Sequence, residues 1–109
     1  MKIEIITPNA ALLRNTIFKA VKNGRLETWE ITETEDDGYY LTPVGAQFNN
    51  IVLLRLELMP FSKNLVIFPT NFREKEEPTN ALIAIVLGMI TATLLTHFGT
   101  DFSKLETTN

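Results

Sequence analysis

From Pro78 to Thr100 the chain carries no charged residue, and from Ala81 to Phe98 apolar side chains fall on nearly every side of a helix. A helix of that kind must be covered on more than one face. On a 3.6-residue turn, Ile83, Val86, Leu87, Ile90, Leu94 and Phe98 make a bulky side suited to a sheet. Ala84, Gly88 and Ala92, extended by Ala81 and Thr91, make a stripe of small residues. Such a stripe lets another backbone approach closely. Met89, Thr93, Thr96 and His97 occupy what remains, and none is charged.

Three environments could cover this helix: a bilayer, the first helix of the same chain, or a second copy. The segment is long enough to span a membrane. Thr91, Thr93, Thr96 and His97 dilute it, however, and no lysine or arginine cluster beside it fixes an orientation. A membrane is therefore not expected as a partner. One short helix and one sheet face leave part of so uniform a surface uncovered in a chain of 109 residues. A homodimer is expected, with Ala84, Gly88, Ala92 and Thr96 at its interface.

The remaining sequence reads as a single α+β domain over residues 1–109. Lys2 to Ile6 is an isoleucine-rich strand. Thr7 and Pro8 suit the cap and first position of a helix running to about Lys22, which Asn23-Gly24 stops. Ala10, Leu13, Ile17, Ala20 and Val21 fall on one stripe of it, Arg14, Asn15, Lys19 and Lys22 fall opposite, and Leu12 breaks the pattern among the basic residues. Leu26 to Thr32 and Tyr39 to Thr42 read as paired strands around an acidic turn. Ile51 to Met59 alternates Val52, Leu54, Leu56 and Leu58 against Arg55 and Glu57, a period of two that marks a strand with one buried face. Leu65 to Phe68 runs back and Pro69 closes it. Thr79 or Asn80 caps the apolar helix, and Gly99 ends it. Residues 100–109 are expected to add one helical turn around Phe102 and Leu105 or to fray. The order β-α-β-β-β-β-α with short hairpins gives a mainly antiparallel sheet of about five strands, with the helices on one face of a two-layer sandwich.

Composition narrows the chemistry. A net charge of −3 gives no general pull towards nucleic acid. No cysteine is present, which removes disulfides, thiol catalysis and cysteine metal sites together. The start of the chain has no signal-peptide pattern, so the cytoplasm is the expected setting. His97 is the only histidine, with no second soft ligand to join it at a metal. Glu33, Glu35 and Asp37 alternate before Gly38 as calcium ligands do, but Leu41 and Val44 stand where further ligands belong. No phosphate loop, nucleophile elbow or metalloprotease helix is present. No catalytic residue, cofactor or metal is expected.

The basic helix from Leu12 to Lys22, its stop at Gly24, the next strand, the acidic turn and Tyr40-Leu41-Thr42-Pro43 with Gly45 resemble the recognition helix and wing of winged-helix regulators. The resemblance implies DNA contact through that helix. The two helices that precede it in those regulators are replaced here by a strand, and an acidic wing repels phosphate. The resemblance is read as coincidence, and no family is assigned. What remains is a small non-enzymatic interaction or regulatory domain working through a protein surface. Glu35, Asp36, Asp37, Phe48 and Phe72 are its further candidate contacts with another protein. The alternatives are a nucleic-acid binder using Arg14, Lys19, Lys22 and Arg25, and a ligand binder or enzyme with a pocket between sheet and helices.

Overall fold

The computed structural model describes residues 1–34, 38–60, 64–72 and 75–108. Six strands and two helices follow in the order β1 (Lys2–Ile6), α1 (Ala10–Lys22), β2 (Trp29–Thr34), β3 (Gly38–Pro43), β4 (Leu53–Leu58), β5 (Asn64–Thr70), α2 (Asn80–Phe98) and β6 (Lys104–Thr108). The strands form one antiparallel sheet in the order β2-β3-β4-β5-β1-β6. This is the expected α+β sandwich, with one strand more than the sequence suggested.

That strand is a correction. The tail neither coils into a helical turn nor frays; β6 pairs with β1 from Lys2 opposite Thr108 to Ile6 opposite Lys104. Two isoleucines of β1, Ile3 and Ile5, are fully buried. A second neighbour for β1 satisfies its outer backbone groups, which would otherwise lie at an open edge. Leu105, opposite Ile5, packs against the core.

Alternation decides which side of the sheet is covered. Ile3, Ile5, Trp29, Leu41, Leu54, Leu56, Leu65 and Ile67 form one buried cluster with Leu13, Ile17 and Ala20 of α1 and Val86, Leu87, Ile90, Leu94 and Phe98 of α2. The alternate residues face away from the helices and cover themselves. Lys2 and Arg55 lie over the Phe68 ring at 5.7 and 5.3 Å. Arg55 pairs with Glu57 at 2.9 Å, and Lys104 with Glu106 at 2.8 Å. The hydrogen bond to Glu106, with its negative charge, holds Lys104 above the usual lysine pKa.

Three local expectations change. The cap of α1 is Asn9, whose side chain accepts from the Leu12 N–H at 3.0 Å. Thr7 is buried instead, and its hydroxyl donates to the Asp101 carbonyl at 2.6 Å, tying the end of β1 to the turn after α2. β2 begins at Trp29 rather than Leu26, because the chain leaving α1 folds back on Ala20: the Arg25 and Leu26 N–H groups both donate to its carbonyl. Pro69 does not close β5, which runs to Thr70. Leu53 to Leu58 of β4 still pair there, while β1 pairs only with Asn64 to Ile67. Gly24, at φ +75°, makes the expected left-handed turn after α1.

Candidate interaction surface

Thr79 starts α2, its hydroxyl accepting from the Leu82 N–H at 3.2 Å. One side of the helix is pinned to the sheet by the five buried side chains above and by one polar contact. The indole N–H of Trp29, itself 3% exposed, donates to the Thr93 hydroxyl at 3.0 Å. Thr93 passes its own proton to the Met89 carbonyl at 3.0 Å, and Thr91 donates likewise to Leu87 at 2.8 Å. These two hydroxyls are thus spent on the helix backbone and on Trp29, so they add little polarity to the outer surface.

Among the described residues, the opposite side has no cover. Ala81, Ala84, Ile85, Gly88, Ala92, Leu95 and Thr96 are all exposed, Ile85 at 49% and Leu95 at 59%. A Cβ added at Gly88 would meet nothing within 4 Å. α2 is long and apolar enough to cross a membrane by length and composition, yet only 28% of its most apolar stretch is buried. The small-residue stripe therefore does not pack on α1. Ala84, Gly88, Ala92 and Thr96, singled out in the sequence, do lie on one open face. Ile85 and Leu95 share it, and sequence reasoning missed them. Their spacing with Gly88 and Ala92, at steps of three, four and three, is the repeat of one helix face and was the signal to read.

The other candidates are not brought together. Phe48 is half-buried against the core, in a turn closed by its N–H to the Gly45 carbonyl at 2.9 Å. It is partly exposed and packs one side against the core. Phe72 is half-exposed, with the Lys75 ammonium 5.8 Å from its ring centre. Glu35, Asp36 and Asp37 lie outside the described residues. Asn49 and Asn50 belong to the loop before β4: Asn49 donates to Glu30 and to the Pro43 carbonyl, and Asn50, at φ 57°, accepts from Thr32 at 2.6 Å. On the basic side, Lys19 and Lys22 join Asn15, Phe18, Asn23 and Tyr39 around a shallow cleft of about 340 Å³. Lys22 sits 4.9 Å over the Tyr39 ring, an arrangement that occupies the cation within the chain. The hairpin that resembles a wing is two strands of the continuous sheet. His97 is exposed, and among the described residues no group of three histidine or acidic side chains could hold a metal.

No family model, no curated protein and no solved structure matches this chain. The surface of α2 must be interpreted from its own chemistry.

Proposed function

We propose that this chain is a small interaction domain, acting in the cytoplasm, that self-associates through the outer face of α2 and presents the rest of its surface to protein partners. The observation that carries this reading is the uncharged apolar face running from Ala81 to Thr96, with open space over Gly88. Contiguous apolar patches are rare on soluble monomers unless something binds there. The self-paired charges on the other side of the sheet make that face a poorer site. A membrane span fits less well, because Val86, Leu87, Ile90, Leu94 and Phe98 already lie in the domain core and would have to leave it.

The test is the state of the protein in solution and its response at Gly88. Sedimentation or light scattering should give a dimer at micromolar concentration. Gly88→Arg should give a folded monomer, since the new side chain has free space within its own protomer. Replacing glycine inside a helix favours the fold itself by about 0.5–1 kcal/mol, so unchanged circular dichroism should accompany loss of the dimer. A wild-type protein that stays monomeric at high concentration overturns the reading.

A further inference from the structure

We propose that β6 is a detachable strap: Lys104 to Thr108 leave β1 together while the rest of the sheet stays folded, and so gate the outer edge of β1. The proposal is independent of self-association and rests on how little holds β6. Among the described residues, none after Phe98 is buried, and only Phe102 and Leu105 of that stretch pack against the core. β6 forms one end of the sheet and pairs with β1 alone. Segments with few buried apolar contacts open at a fraction of the free energy of global unfolding.

Two features of the closed strand oppose closure. Glu106 stands directly opposite Glu4, and like charges facing each other across a ladder are destabilising. The Thr108 hydroxyl is buried without a hydrogen-bond partner among the described residues, a desolvation cost that release into water removes. The near end is fastened more firmly. The Ser103 N–H and hydroxyl both donate to the Ile6 carbonyl, at 2.9 and 3.2 Å, and the Thr7 hydroxyl holds the Asp101 carbonyl at 2.6 Å. The turn after α2 is thus tied to the end of β1. It is the hinge, and the residues from Lys104 onward are the moving part.

The register says which amides report the motion. The Met59 N–H donates to the Asn64 carbonyl at 3.3 Å, and bonding sides alternate along a strand. The even-numbered residues of β5 therefore bond to β4, and Leu65 and Ile67 bond to Ile5 and Ile3. Glu4 and Ile6 then bond to Glu106 and Lys104. Release of β6 bares the amides of Glu4 and Ile6 and leaves those of Ile3 and Ile5 covered, within a single strand.

Native-state hydrogen exchange, followed by NMR over a series of low denaturant concentrations, tests this. Glu4, Ile6, Lys104 and Glu106 should share one opening and, corrected for intrinsic rates, exchange about a hundredfold faster than Ile3 and Ile5. Ile17→Val decides whether that opening is local. Ile17 is fully buried on α1, which packs on β2, β4 and β5. Weakening the core there should speed exchange at Ile3 and Ile5 about three- to tenfold and leave the other four amides unchanged. Equal acceleration of both sets, or one exchange class for all six amides, means that β6 opens only with the whole fold and overturns the proposal. Protection that falls steadily from Lys104 to Thr108, with no shared opening, is end fraying and overturns it as well.

Discussion

The indole of Trp29 and the hydroxyl of Thr93 are the polar link between the first strand of the hairpin and α2. Thr93→Val keeps the shape and removes the acceptor. The Trp29 N–H would then be buried without a partner, which costs about 1–3 kcal/mol. Urea unfolding followed by the fluorescence of this single tryptophan should show that loss; a midpoint unchanged from wild type would mean that the indole finds another acceptor. The pairing was not legible in the sequence, because its two residues lie 64 positions apart and neither pattern points to the other. The contact of Phe48 with the core was not legible for a related reason: it depends on the turn from Gly45, which folds one side of the ring back on the core. The sequence did bring Ala84, Gly88, Ala92 and Thr96 together, because helix periodicity alone places them. It did not single out Ile85 and Leu95, since in a helix apolar on every side hydrophobicity no longer tells inside from outside.

Among the elements, legibility tracked amphipathic contrast. β4 was readable because Leu54 and Leu56 alternate with Arg55 and Glu57, and α1 because its apolar stripe faces basic residues. β6 was not: Lys104 to Thr108 is mostly polar, and its strand character comes from the unsatisfied edge of β1 rather than from its own composition. Caps lie between these cases: the sequence alone starts α1 at Thr7 and Pro8, two residues too early. The structure assigns the cap to Asn9 and turns Thr7 towards Asp101. Asn9→Ala should therefore cost about 1 kcal/mol of stability, measured by chemical denaturation. A loss confined to the noise of that measurement would return the capping role to another group.

For the whole molecule, the distribution of charge predicts how association responds to salt. The open side of the sheet holds the ion pairs, and the outer face of α2 holds none. Screening should leave the dimer intact, and sulfate should tighten it by strengthening apolar burial. Sedimentation across a salt series checks this; dissociation on raising sodium chloride would mean that charged side chains carry the contact. The same distribution predicts weak binding to duplex DNA even at low salt, because the basic side chains of α1 are few and Lys22 already lies over Tyr39; a low-salt titration giving submicromolar affinity would overturn this.

The position of β1 also sets the order in which the protein can be finished. It is made before both of its neighbours, β5 and β6, which come from the second half of the chain. Until Lys104 to Thr108 emerge, Ile3 and Ile5 wait without a completed sheet, and the apolar helix is already made. Folding during synthesis therefore cannot complete the sheet until β6 emerges to cover the second edge of β1.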